Sequence, residues 1–115
     1  MVRVQLMNDE QVARRMANYR LAALPGDGTG REVMREALRV LSVFEENSPL
    51  SFEIKEIPCG GQYYLETGEE WPAGSFEYCR DQSDAILLGA IGWPDARLPN
   101  GDMAGGQTIL SLIHI

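Results

Sequence analysis

The sequence predicts an α/β fold that opens with a parallel βαβ unit, and three observations carry the prediction. A short apolar run at Arg20–Leu24 ends on Pro25 and a glycine-rich turn, an amphipathic stretch follows from Arg31 to Phe44, and Ser51–Ile57 alternates apolar with charged residues. A helix between two strands implies parallel pairing through a right-handed crossover. With 115 residues, 44% hydrophobic and 23% charged, the chain has material for one core of ordinary size and not for two.

Along the chain, Met1–Arg15 is polar and its apolar residues keep no period, so residues 1–15 are expected to be a loose extension. Met16 stands four residues ahead of the first strand and is an alternative start, which would make the first fifteen residues an over-called leader; the competing reading is a genuine N-terminal helical arm. Arg20–Leu24 is the first strand, and Pro25 with Gly26-Asp27-Gly28-Thr29-Gly30 turns the chain, Asp27 or Thr29 making local caps. In the helix that follows, Val33, Met34, Ala37, Leu38, Val40, Leu41 and Phe44 recur at three- and four-residue steps, the mark of one buried face. Glu32 with Arg35 and Glu36 with Arg39 supply charge pairs on the wetter side.

Asn47-Ser48-Pro49 ends that helix, and in the second strand Phe52 and Ile54 alternate with Glu53 and Lys55. Gln62–Glu66 forms a short helix stopped by Gly68, and Ser75–Gln82 a further helix with Phe76 and Cys79 or Tyr78 inward. The continuous apolar run from Asp84 to Gly89 is expected to be a central parallel strand covered on both faces. A long loop then runs to Gln107, in the place where α/β enzymes hold ligands.

Charge and cysteine content narrow the function classes. Asp and Glu number 17 against 10 Lys and Arg, a formal charge of −7, which opposes nucleic acid; Arg14, Arg15 and Arg20 form only a small basic cluster. No apolar run approaches the roughly 20 residues that span a bilayer, and the N-terminus has no apolar signal centre, so a cytoplasmic protein is expected. Cys59 and Cys79 are expected to be free thiols, with no partner histidine to make Cys59 a nucleophile; His114 has no catalytic assignment. Asp84, Asp95 and Asp102 are unequally spaced and read as turn formers rather than metal ligands. Tyr63, Tyr64, Trp71, Phe76 and Tyr78 carry no interleaved basic residues, so they are expected to pack the core rather than stack bases.

The glycine turn lies where a dinucleotide fingerprint would, but the third glycine of G-x-G-x-x-G is replaced by Arg31 and no Walker lysine is present. Taken together, Leu24-Pro25-Gly26-Asp27-Gly28-Thr29-Gly30-Arg31-Glu32-Val33, Gly60-Gly61 and Asp84-Ala85-Ile86-Leu87-Leu88-Gly89-Ala90-Ile91-Gly92-Trp93-Pro94 resemble the opening of the isocitrate and isopropylmalate dehydrogenase family, over about residues 19–107. The resemblance implies the N-terminal part of that family's α/β fold, a parallel βαβ start of a mixed sheet that is not a Rossmann fold. It further implies NAD and Mg²⁺ or Mn²⁺ as cofactors, a homodimeric full-length enzyme and oxidative decarboxylation of a small 2-hydroxy acid. The nearest branch converts 3-isopropylmalate to 4-methyl-2-oxopentanoate in leucine biosynthesis, with the tartrate and D-malate enzymes next.

By the same resemblance, Gly92, Trp93, Pro94, Asp95, Ala96, Arg97 and Leu98 lie along the cofactor, and the turn bearing Thr29 approaches it. The family usually has proline at Arg31, an aliphatic residue at Thr29 and often glycine at Trp93. Its catalytic and metal-binding groups follow later, so no residue here is assigned either role and the segment alone is expected to be inactive. The reading from another class is a small α/β module that binds an anion at Gly26–Gly30.

Residues 16–109 are thus expected to form a fragment of the dehydrogenase's cofactor-side domain. Residues 110–115, Leu-Ser-Leu-Ile-His-Ile, match the translation of a transposon-end sequencing adaptor; the competing reading is a genuine terminal strand. Codons CTG TCT CTT ATA CAC ATC are expected over Leu110 to Ile115, and reading the nucleotides checks this directly.

Overall fold

A computed structural model describes Asn8, Asp9 and residues 17–115. The expected N-terminal extension and the alternative start at Met16 otherwise lie outside the described residues. The remaining chain is a three-stranded parallel sheet flanked by helices. Strand β1 (Asn18–Leu24) leads through helix α1 (Thr29–Asn47) to β2 (Ser51–Glu56), and then come α2 (Gly61–Thr67), α3 (Ser75–Glu77), β3 (Ala85–Leu88) and α4 (Gly106–Leu112).

The strand order is β2-β1-β3, with Leu21 opposite Ile54 on one side and Ala85 on the other. This corrects the expectation for Asp84–Gly89. The central strand is β1, whose Ala22, Ala23 and Leu24 are fully buried, whereas β3 forms an edge and leaves Ala85 and Leu88 exposed. A continuous apolar run shows that a strand can be covered on both faces, but its neighbours decide whether it is. The Asp84 carboxylate accepts a hydrogen bond from the Arg20 N–H (2.8 Å) while the Asp84 N–H donates to the Arg20 carbonyl (2.7 Å), which pins the register where β1 and β3 begin.

Helix α1 starts two residues before the expected Arg31, taking in Thr29 and Gly30. Its inner stripe is narrower than the sequence pattern. Met34 is buried and Ala37, Leu38 and Leu41 are half-buried, but Val33, Val40 and Phe44 are exposed, Val33 at 64%. A narrow sheet reaches only the middle of a wide apolar face. The exposed Glu36–Arg39 pair closes at 3.0 Å, a contact of small worth in water.

Strand β2 keeps the expected alternation, with Phe52 and Ile54 turned partly inward. Helix α2 ends where expected, Gly68 taking the left-handed conformation and donating its N–H to the Tyr64 carbonyl. The helix expected over Ser75–Gln82 is one α-turn followed by a wider π-helical turn, Tyr78–Gln82, closed by the Ser83 N–H on the Tyr78 carbonyl (3.0 Å). The widened turn puts Cys79 in the core and Tyr78 beneath the Lys55 ammonium, 4.2 Å from the ring centre. Of the aromatic group, Trp71 and Tyr78 pack against the core of Ala22, Leu24, Ile57, Cys59 and Cys79.

The loop after β3 is more ordered than its composition suggests. Arg97 and Met103 pair across a small hairpin, the Leu98 N–H donates to the Asp102 carbonyl, and the Ala104 N–H donates to the Ala96 carbonyl. The terminal segment is helical through Leu112, not the strand considered for it, and Leu112 packs on the core.

Gly30 sits inside α1, where alanine would ordinarily be favoured by about 0.5–1 kcal/mol. Here a methyl group would collide with the Pro25 carbonyl oxygen and stand 2.8 Å from the Ala90 nitrogen. Gly30→Ala is therefore expected to lower stability by about 2 kcal/mol or more. Gly106→Ala in α4, with nothing within 4 Å of the added methyl, is expected to raise it by about 0.5 kcal/mol. Urea unfolding of the two variants beside the parent chain measures both.

Candidate functional site

Parallel strands release their chains at the same edge of the sheet, so the segments after β1, β2 and β3 converge. The convergence is built around Asp27. This side chain is only 3% exposed, and its carboxylate accepts three backbone N–H bonds from distant segments. Oδ2 takes the Gly61 N–H (2.8 Å) and the Gly92 N–H (2.9 Å), and Oδ1 takes the Gln62 N–H (2.8 Å). Asp27 thus caps α2, a helix 34 residues on, instead of making the local cap expected from the sequence.

Gln62 answers in the opposite direction, its Oε1 accepting the N–H of Gly28 at the start of α1 (3.2 Å). The two helix starts therefore cap one another, a long-range counterpart of the reciprocal capping box within one helix. Two glycines make the approach possible. Gly60 has φ +103°, and a methyl group there would lie 2.5 Å from Asp27 Oδ2; a methyl on Gly61 would stand 2.6 Å from Trp93 Cβ.

The glycine turn directs its donors inward. The Asp27 N–H goes to the Ala90 carbonyl (2.7 Å), that of Gly30 to the Asp27 carbonyl (2.9 Å), and that of Arg31 to the Gly28 carbonyl (3.3 Å). With the Gly28 N–H on Gln62, these groups are not displayed to an anion as in a phosphate-binding loop. The anion-binding module loses its main support.

The residues expected to line a cofactor are distributed unevenly. Trp93 lies over the start of α1, its ring carbon Cζ3 3.7 Å from where a Gly28 side chain would be, next to the exposed Thr29. Gly92 is tied to Asp27, Pro94 and Asp95 are exposed, and Ala96 is fully buried. The Arg97 guanidinium folds back on its own loop, donating to the Pro94 carbonyl (3.2 Å) and the Gly101 carbonyl (3.4 Å). Leu98 faces elsewhere, into a cavity of about 500 Å³ shared with Tyr64, Glu70, Trp71 and Phe76. A larger cavity, about 660 Å³, opens between α1, the end of β2 and α2, with Arg31, Arg35, Cys59 and Tyr63 in its wall.

That Asp27, Gln62 and the Gly60-Gly61 pair come together has no local signature in the sequence. An aspartate between two glycines does signal a tight turn, but its partners 34 to 65 residues away leave no local trace. Among the described residues no group of three or more His, Cys, Asp or Glu could hold a metal ion. Asp102 accepts from the Asn100 side-chain amide (2.9 Å), within its own turn.

The profile of the isocitrate/isopropylmalate dehydrogenase family matches residues 20–113. The chain belongs to this family. Among its relatives, the 3-isopropylmalate dehydrogenase of Trichormus variabilis is 41% identical over 101 residues, 83% of this chain and 28% of the relative. That of Aquifex aeolicus is 43% identical over 79 residues, 69% of this chain and 21% of the relative. The chain thus spans between about a fifth and little more than a quarter of the length of these two relatives. In structure it resembles the apo β-decarboxylating dehydrogenase of Thermococcus kodakarensis, with a TM-score of 0.61 and 30% identity over 82% of this chain and 26% of the other. The α/β architecture with its parallel opening is therefore that of the isopropylmalate dehydrogenase fold. Among the described residues no helix is long and apolar enough to cross a membrane.

Cys59 is a poor nucleophile in this setting. Burial pushes its thiol up to about 11 from 9.0; the Gly26 backbone hydrogen bond opposes the rise, and the nearby Asp27 charge adds to it. Burial likewise raises Cys79, opposed by Lys55. Both thiols of the folded chain are expected to react with Ellman's reagent at neutral pH at least about tenfold more slowly than in urea. An unfolded thiol ionises first, so Cys59 contributes stability below about pH 9 that is lost as pH rises towards about 11. Melting temperature against pH should fall across that window, less steeply in Cys59→Ala.

Proposed function

We propose that this chain is the N-terminal segment, over residues 16–109, of an NAD-dependent, divalent-metal-dependent oxidative decarboxylase acting on 3-isopropylmalate. The family match over residues 20–113 carries this reading, and the curated 3-isopropylmalate dehydrogenases among the relatives favour that substrate within the family. The product would be 4-methyl-2-oxopentanoate, in leucine biosynthesis. The full-length protein would be a cytoplasmic homodimer.

The residues at the strand ends suit one part of this chemistry. The Trp93 ring lies 3.7 Å from where a Gly28 side chain would be, Thr29 follows Gly28 in the chain and is exposed, and Pro94 and Asp95 are exposed beyond Trp93. A flat ring and a hydroxyl suit stacking and hydrogen bonding along a dinucleotide, whereas the inward backbone donors do not suit a phosphate cradle. Bound NAD would accept a hydride from the hydroxyl-bearing carbon of the acid. This segment's contribution is to shape one wall of that site and hold the Gly92–Leu98 loop in register through Asp27.

The metal does not fit the described residues, which offer no cluster of ligands. Its ligands and the groups that move protons are assigned to the remainder of the full-length protein, and the isolated segment is expected to be inactive.

The full-length polypeptide carrying this segment should reduce NAD, read at 340 nm, when given 3-isopropylmalate and Mn²⁺, and should lose the activity with a chelator. Turnover with tartrate or D-malate but not with 3-isopropylmalate would move the assignment to the sister activity.

A further inference from the structure

We infer that Asp27 is a positioning residue for the cofactor-side loop: its buried carboxylate couples Gly92, where that loop begins, to the start of α2 and, through Gln62, to the start of α1. The inference rests on the reading that the Gly92–Leu98 loop lies along NAD. It adds a role for a residue whose side chain is buried behind the loop it holds.

The two carboxylate oxygens hold different partners. Oδ2 is shared by the Gly61 and Gly92 N–H groups, so one atom sets the distance between the second and third strand-end segments. Oδ1 takes the Gln62 N–H, its one donor among the described residues, and the side chain of that residue accepts the Gly28 N–H. The Asp27 backbone closes the same joint from the other side, its N–H donating to the Ala90 carbonyl at 2.7 Å. The Gly92 segment is thus fixed to the turn after β1 twice, through the Gly92 N–H and through the carbonyl two residues before it. Burial at 3% exposure keeps water from competing for these bonds, and a charged acceptor makes each stronger than a neutral one. Trp93 and the rest of the loop leave directly from this joint.

The division between the oxygens predicts different outcomes for two substitutions. An asparagine carbonyl in the place of Oδ2 keeps Gly61 and Gly92 but sets its amide donor against the Gln62 N–H. Alanine releases all three.

In the 115-residue chain, Asp27→Ala should speed amide hydrogen exchange at Gly92 and Gln62 about tenfold or more, while Leu24 in β1 keeps its protection. Asp27→Asn should speed Gln62 and spare Gly92. If Asp27→Ala does not fold, Gly60→Ala, whose methyl displaces the carboxylate, provides the same readout at Gly92. Unchanged exchange at Gly92 in a folded variant overturns the proposal.

In the full-length polypeptide, Asp27→Ala should raise the KM for NAD about tenfold with a smaller change in kcat, and Asp27→Asn should raise it less. A KM for NAD unchanged by Asp27→Ala overturns the positioning role alone. Absence of NAD binding by the unmodified polypeptide overturns the reading of the loop, and with it the role of Asp27 in the reaction.

Discussion

The buried Asp27 carboxylate is the constraint on which the working edge of this fold depends. A parallel sheet guarantees that three chain segments leave on the same side, but not that they meet. Hydrophobic burial seats Ile57, Cys59 and Ile91 of these segments in the core, but it is non-directional and cannot by itself fix which backbone groups meet. A single desolvated acceptor with three donors can. An unpaired charge in that place would be costly to bury, so the site is stable only when all the partners are present together.

Several glycines follow from that constraint. At Gly26, with φ +75°, a side chain would run into the Ala90 carbonyl, and at Gly60 it would displace the carboxylate itself. Cys59, one residue before Gly60, is buried with Cys79 in the core beneath the same joint. Raised thiol pKa values there follow from burial and do not mark a redox or nucleophilic centre. Polar clamp and apolar core therefore meet at adjacent residues, which links the position of the loops to the packing of the sheet.

How much of this was legible in the sequence depended on the range of the interaction involved. The α1 periodicity, the alternation of Phe52 and Ile54 and the Gly68 stop are local signals, and the structure repeats them with small shifts at the ends. Strand order is not local: the run at Ala85–Leu88 is more apolar than Asn18–Leu24, yet the latter is central because both neighbours pair with it. The exposure of Val33, Val40 and Phe44 has a related cause, since amphipathic spacing records what a helix is able to bury and not how wide a sheet lies beneath it. The three-block spacing that identified the family also contained the clamp, because Asp27, Gly61 and Gly92 fall one in each block. What the spacing lacked was any sign that these three positions touch.

The half-covered sheet has a consequence for the chain in solution. Among the described residues β3 pairs only with β1, leaving its other edge with unmatched donors and acceptors and an exposed Leu88. On α1, Val40, Val43 and Phe44 border a further apolar hollow. An open strand is a template for another strand, and an apolar flank favours contact of any kind over contact with water. The β3 edge and the apolar flank of α1 are thus the two faces on which this segment offers itself to a further strand and a further apolar surface. The net charge of −7 acts the other way between like chains, by mutual repulsion, and added salt weakens that repulsion by screening it.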